Sequence, residues 1–275
     1  MKKVKLNHIY HGDCVDVMRT FPEGVIDLTV TSPPYDNLRT YKGYTFNFEE
    51  IAKELYRVTK QGGVVVWVVN DATIKGSETG TSFKQALYFK EIGFNLHDTM
   101  IYHKDNPAPV GGHNRYYQAF EYMFVLSKGK PKTFNPILTP RRNKWNDKRT
   151  VRYRGVTRNK DGEFEKKLVK VNGLVKKQNL WTYVVSGGSS STDRIAHQHP
   201  AIFPEKLAED HVLSWSNEGD IVLDPMCGSG TTCKMAKLNG RNYIGIDIAE
   251  EYVELARRRV EEVTDSDEKV SIPDR

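Results

Sequence analysis

Short apolar runs alternate along this chain with longer stretches in which apolar residues recur every three or four positions. Residues 5–10, 25–30, 64–69, 96–102, 122–126, 220–224 and 242–247 read as strands. The run 64–69 is apolar throughout, as suits a strand covered on both faces of a parallel sheet. Residues 48–59 place Ile51, Leu55 and Val58 at helical spacing, and Gly62-Gly63 reads as the stop that follows. Further helices are expected over 83–92, 233–239 and 250–262, with a helical turn at 15–21. Another opens near His199, carries Pro204 in its first turn and runs to about Ser216. Strands alternating with helices predict an α/β domain on a doubly wound, mostly parallel sheet.

Composition narrows the class. A chain of 275 residues can bury a full core as one α/β domain with a sizeable insertion. It lacks a run of eighteen apolar residues and an apolar signal core behind Lys2 and Lys3, so a soluble, unsecreted, cytoplasmic protein is expected, away from membranes. Cys14, Cys227 and Cys233 are odd in number and lack metal spacing, which favours reduced thiols and no structural metal.

Charge is unevenly spread. Residues 128–177 hold 17 Lys and Arg against 4 Asp and Glu, a local +13 in a chain of net +6. The remainder is therefore −7, a mildly acidic body carrying one basic segment. That segment is rich in arginine, including Arg141, Arg142, Arg149 and Arg152, and interleaved with Trp145, Tyr153 and Phe164. Guanidinium forks fit phosphate oxygens and the guanine edge, so nucleic-acid contact is the favoured reading over a merely solvated loop.

Two turns carry candidate chemistry. Ser32-Pro33-Pro34-Tyr35 follows strand 25–30. Neither proline can donate to a sheet ladder, and Pro33 biases Ser32 away from helical geometry. The resulting stiff turn exposes a hydroxyl, a carbonyl and an aromatic ring at the carboxyl edge of the sheet, where ligands bind in such folds. A small polar group beside a ring suits a flat base bearing an amine. Near the other end, strand 220–224 runs into Pro225-Met226-Cys227-Gly228-Ser229-Gly230-Thr231-Thr232 and then a helix. This Gly-x-Gly turn lets backbone approach a ligand, although the third glycine of the full dinucleotide fingerprint is absent. Asp247 ends the next strand 23 residues after Asp224, where a carboxylate reaches ribose hydroxyls.

Ser-Pro-Pro-Tyr and Asp-Pro-Met-Cys-Gly-Ser-Gly-Thr-Thr, in that order, resemble the two main motifs of the circularly permuted β class of DNA amino-methyltransferases. The resemblance covers residues 8–130 and 178–260 and leaves the middle without a motif. It implies a Rossmann-like S-adenosylmethionine-dependent methyltransferase fold with an inserted basic target-recognition region. The implied organisation is a catalytic half (1–127), the insertion (128–180), a cofactor-binding half (181–262) and an acidic, disordered tail (263–275).

The same resemblance assigns roles. Ser32 and the Pro33 carbonyl would accept hydrogen bonds from the target amine, Pro34 would stiffen the turn, and Tyr35 would stack on the extruded base. Asp13 resembles the acid that accepts from the adenine amine of S-adenosylmethionine, with an ordinary Gly-Asp turn as the plain alternative. Asp224 would hold the cofactor's ammonium, Gly228, Gly230 and Thr231 its methionine moiety, Phe203 would pack on it, and Asp247 would bind its ribose. Arg39, in a loop at residues 36–44, would close over DNA with Arg141, Arg142, Arg149 and Arg152. Asn106-Pro107 and residues 115–121 resemble segments that line the catalytic pocket.

The implied function is site-specific methylation of an exocyclic amine in double-stranded DNA, with Ser-Pro-Pro-Tyr leaning toward cytosine N4 and adenine N6 as the alternative. An RNA or protein-glutamine substrate, or a non-catalytic nucleic-acid-binding protein, are the competing readings. The intact Ser32–Tyr35 and Gly228–Asp247 motifs and the basic insertion weigh against them. A homodimer and a cognate restriction enzyme are left open as partners.

Overall fold

The computed structural model describes residues 4–35, 46–107, 114–140, 152–170, 174–185, 191, 194–198 and 204–263. The chain enters through β1 (His8–His11), α1 (Cys14–Arg19), β2 (Ile26–Thr31), α2 (Phe48–Val58) and β3 (Thr59–Val69). A small hairpin of β4 (Thr73–Ile74) and β5 (Ser77–Glu78) leads to α3 (Thr81–Glu91), β6 (Asn95–Lys104) and β7 (Phe120–Ser127). Next come β8 (Leu138–Pro140), β9 (Arg152–Arg158), β10 (Phe164–Lys170) and β11 (Leu174–Lys176). The last stretch holds β12 (Leu180–Tyr183), a 3-10 turn (Arg194–Gln198), α4 (Glu205–Trp215), β13 (Ile221–Asp224), α5 (Thr231–Leu238), β14 (Asn242–Asp247) and α6 (Glu250–Glu261).

Among the described residues one sheet has the order β1-β14-β13-β2-β3-β7-β6-β12. Its pairs are parallel except that β7 runs antiparallel to both β3 and β6. The expected doubly wound, mostly parallel sheet is therefore present, with one reversed strand. No crossover helix is described between β6 and β7, and strands joined without one pair antiparallel.

The order also has a reversal. From β2 the chain moves outward to β3, and from β13 it moves the opposite way to β14, which lies between β13 and β1. The β2–β13 seam is the switch point, and such a seam opens a crevice at the carboxyl ends of its strands. Both turns singled out above follow these two strands.

Burial explains why the sheet is covered on two sides. Val64, Val65, Val66, Trp67 and Val68 are all buried, as a strand sandwiched between helical layers requires. On β14, Ile244 and Ile246 join one hydrophobic cluster with Met18, Leu55 and Phe89, while Gly245 faces Cys227 and Cys233. Those thiols pack with Ile9, Val253, Ala256 and Val260 in a second cluster. Helix α2 shows how local sequence feeds this packing: Asn47 Oδ1 accepts from Glu50 N, and Glu49 and Glu50 lie in the positive first turn. Its Ile51 and Leu55 are buried, each contributing roughly 1.5–3 kcal/mol.

One boundary differs from expectation. Gly62-Gly63 does not end the helix; Thr59 does, and β3 begins at that residue. The glycines lie inside the strand beside an irregularity in the β2–β3 register. A Cβ on Gly63 would sit 2.8 Å from Thr59 Cγ2 and 3.0 Å from the Asp27 carbonyl, so close backbone approach demands glycine there.

Two compact units are present, Met1–Asn135 with Asn179–Arg275, and Pro136–Gln178. The second falls inside the basic stretch. It pairs β8 with β11 and β9 with β10, each antiparallel. The β9–β10 hairpin turns through residues 159–163, where Asn159 Oδ1 accepts from Asp161 N and Glu163 N. Its local signal is Asp161-Gly162, a dipeptide that favours a tight turn. Among the described residues no helix is long and apolar enough to cross a membrane.

Candidate active site

Strands β2 and β13 pair Leu28 with Val222 and Thr29 with Leu223, so their carboxyl ends deliver the two turns side by side. Two long-range bonds hold them there. Thr31 Oγ1 donates to Asp224 Oδ1 at 2.8 Å, and Thr232 Oγ1 donates to the Val30 carbonyl at 3.1 Å. All four residues are buried. The Pro-rich turn and the glycine turn thus share one floor.

The glycine turn is shaped from within. Gly228 and Gly230 have φ of +48° and +79°, and Gly230 is the N-cap of α5. A Cβ on Gly230 would lie 2.7 Å from Ala256 Cβ, so helix α6, and not only a ligand, excludes a side chain there. Asp247 Oδ2 accepts from Gly228 N at 2.8 Å and its Oδ1 from Ala249 N at 2.9 Å. The carboxylate remains half-buried, at the end of its strand. Asp224 is buried, and desolvation raises its carboxyl to about 6, against the opposing hydrogen bonds from Thr31 and Met226 N.

A buried charge cluster backs this turn. Arg259, fully enclosed, donates to the Ser229 carbonyl and Oγ, to Thr231 Oγ1, to Ser191 Oγ and to Glu205 Oε1. Lys234 Nζ meets the same Glu205 oxygen at 2.9 Å. The Thr231 hydroxyl therefore faces inward to Arg259, and any ligand contact from Thr231 falls to its backbone. Glu205 belongs to Phe203-Pro204-Glu205-Lys206, which resembles a cofactor-packing motif, whereas Arg259 is not legible: an arginine in an amphipathic helix looks like surface until its partners are known.

At the other turn, Pro33 is buried while Ser32 and Tyr35 are half-buried. Ser32 Oγ and the Tyr35 hydroxyl are 2.8 Å apart, and Tyr35 donates to Glu121 Oε2 at 2.8 Å. Glu121 Oε1 pairs with Lys104 Nζ at 2.6 Å. Burial, then the Glu121 charge, pushes the Tyr35 phenol well above its ordinary value, so it keeps its proton. The Tyr35 ring packs against the main hydrophobic cluster. Its hydroxyl, given no part from the sequence, is thus the centre of a polar chain.

Asp13 takes the plain role as well as any other: it caps α1, its Oδ1 accepting from Val15 N and Asp16 N. The Cys14 thiol beside it is pushed up to about 12 by burial and then by Asp13. Cys227 is pushed up by contact with Cys233 and by burial, which suits packing and not nucleophilic attack. His103 is half-buried, its Nδ1 3.3 Å from Thr182 Oγ1. Among the described residues no cluster of His, Cys, Asp and Glu could hold a metal ion. Phe203, Arg39, Arg141, Arg142 and Arg149 lie outside the described residues, as do the 36–44 loop and the tail from 264. Arg152 opens β9, where its backbone pairs with Lys170.

The donor set fits an adenosyl sulfonium. Two carboxylates, Asp224 and Asp247, stand at adjacent strand ends, and a left-handed glycine turn offers bare backbone beside them.

Comparison with known proteins shows the family. A family model described as DNA methylase, of the N6/N4 type, matches residues 26–258. The chain is 62% identical over 254 residues to the orphan methyltransferase M.BamHII of Bacillus amyloliquefaciens, covering 90% of each. A similar structure is the PvuII DNA methyltransferase (cytosine-N4-specific), with TM-score 0.67 at 22% identity, covering 96% of this chain and 87% of that one. M1.HpyAVI in complex with SAM has TM-score 0.61 at 25% identity, covering 92% and 98%.

Proposed function

The chain belongs to the N6/N4 DNA methylase family, whose cofactor is S-adenosylmethionine, and on that premise we propose that it methylates cytosine N4 at a specific site in duplex DNA. The observation that carries the reading is the seating of Ser32-Pro33-Pro34-Tyr35 beside the Asp224–Gly230 turn, joined by the Thr31–Asp224 bond. S-adenosylmethionine supplies an electrophilic methyl group; Asp247 and Asp224 are the residues that would hold its ribose and ammonium, with Gly228 and Gly230 beside its methionine part.

The protein's own contribution is geometry. An exocyclic amine is a poor nucleophile because its lone pair is delocalised into the ring. Ser32 Oγ and the Pro33 carbonyl, accepting its two N–H groups, favour a more tetrahedral nitrogen with the lone pair released. Holding two reactants in line supplies on the order of 7–11 kcal/mol without a covalent or metal-bound step. The Tyr35 ring gives the extruded base an apolar surface, worth roughly 1–3 kcal/mol for a stacked base. Arg141, Arg142, Arg149 and Arg152 supply phosphate contact from the basic segment.

Finer points belong to the same proposal. The relative at 62% identity is named an orphan, which favours a modification enzyme working without a cognate restriction enzyme. A homodimer is the assembly to look for by sedimentation, and a cytoplasmic location is the one a DNA substrate favours.

The test is direct. Duplex DNA is incubated with the enzyme and S-adenosylmethionine, digested to nucleosides and separated by mass spectrometry. N4-methyldeoxycytidine is expected. N6-methyldeoxyadenosine in its place would move the target to adenine, and methyl incorporated only into competitor RNA or protein would overturn the DNA assignment.

A further inference from the structure

The hydroxyl of serine can donate or accept, and the proposed chemistry needs it only to accept. The chain Lys104–Glu121–Tyr35–Ser32 decides which it does. A carboxylate has acceptors alone, so the bond between Tyr35 and Glu121 Oε2 must carry the tyrosine's proton. Lys104 Nζ, 2.6 Å from Glu121 Oε1, pairs with that carboxylate and aims it. With its proton committed, the Tyr35 oxygen can only accept from its other neighbour, Ser32 Oγ at 2.8 Å. Ser32 has one proton, and Tyr35 takes it. What remains facing the crevice is a pair of lone pairs.

We propose that Glu121, steadied by Lys104, is a positioning residue that fixes the direction of this hydrogen-bond chain, so that Ser32 presents an acceptor to the base. The inference rests on the functional reading above and deepens it. An amine offers N–H donors and matches such a Ser32. A keto oxygen at the same ring position, as in thymine or guanine, would meet lone pair against lone pair and be rejected. Glu121 thereby contributes to the choice of an amino-bearing base without touching it. Topology supplies the acid: β7 runs antiparallel, so its first residues sit at the edge where the parallel strands end, with Glu121 opposite Tyr102.

The test uses the full chain with S-adenosylmethionine and duplex DNA in single-turnover methyl transfer. Glu121→Gln replaces the one-way acceptor with an amide able to donate as well. Its single-turnover rate constant should fall about tenfold, the size of a hydrogen bond to a charged group, while KM for DNA, cofactor affinity and melting temperature hold. Tyr35→Phe keeps the ring and cuts the chain, so it should lose a similar factor, and adding Glu121→Gln to it should cost nothing further. A Glu121→Gln rate equal to the parent's, or two losses that multiply, would overturn the inference. Should Glu121→Gln lower the melting temperature, Lys104→Gln serves instead. It should give a smaller loss that vanishes in the Tyr35→Phe background, and an unchanged rate would count against the proposal. A parent enzyme that places no methyl on DNA would overturn the functional reading, and this inference with it.

Discussion

Thr31 Oγ1 and Asp224 Oδ1 meet at 2.8 Å across 193 residues of sequence, and both residues are buried. The bond ties the last residue before the Ser-Pro-Pro-Tyr turn to the last residue before the glycine turn. Thr31→Val keeps the shape and removes the donor from a buried carboxylate. Chemical denaturation should show a loss of about 1–3 kcal/mol, the cost of an unsatisfied buried group. A change within error would mean that the bond does not brace the seam.

Asp224 also gives stability a pH dependence with a definite sign. Its carboxyl is raised from 3.8 to about 6 in the folded protein, mainly by burial. The native state therefore holds a proton that the unfolded chain has already released. This group's contribution is fully present below about pH 4 and is lost as pH rises through about 6, at a cost on the order of 3 kcal/mol. Asp224→Asn keeps an oxygen for Thr31 and Met226 N and cannot ionise. In melting curves from pH 4 to 8 without cofactor, the variant should lose this slope and gain on the parent above pH 6. Parallel curves would refute the assignment.

Gly230→Ala tests whether the glycine is demanded by the fold. Its φ of +79° costs an L-residue roughly 1–2 kcal/mol. The new methyl would also meet Ala256 Cβ at 2.7 Å, and such overpacking typically adds about 1–3 kcal/mol. A lower melting temperature and weaker cofactor binding by calorimetry are expected, and Ala256→Gly should restore only the steric part.

Arg259→Met removes the buried cation shared by the glycine turn and Glu205. Lys234 remains on Glu205, but the donors to Ser229 and Thr231 go. Breaking a buried pair from one side costs about 3–5 kcal/mol. Urea unfolding measures it, and a loss under about 1 kcal/mol would show that the cluster is not a brace.

Neutralising Arg141, Arg142, Arg149 and Arg152 should weaken DNA binding and flatten its salt dependence, each lost phosphate contact removing close to one unit of slope. Cofactor affinity should hold. Coincident salt slopes for variant and parent, from binding titrations across ionic strength, would place the DNA surface elsewhere.

Strand β14, read over residues 242–247, has those bounds in the structure, and β2, β7 and β13 lie within two residues of their expected ends. Such elements were legible because apolar period, proline and glycine act locally, on the few residues that carry them. Ser32, Asp224, Gly228, Gly230 and Asp247 are legible as candidates for the same reason: they sit at strand ends marked by turn chemistry. The direction of β7, the edge strand β12 and the continuation of β3 through Gly62-Gly63 were not legible, since each depends on which neighbouring strand is left to pair. Nor were the individual hydrogen bonds that set the state of the site, even where, as for Glu121, the segment was. Glu121 reaches Tyr35 across 86 residues, and Arg259 reaches Ser229 across 30. A charged side chain looks alike in sequence whether it faces water or a buried hydroxyl; only the packed sheet and helices decide which of the two it meets.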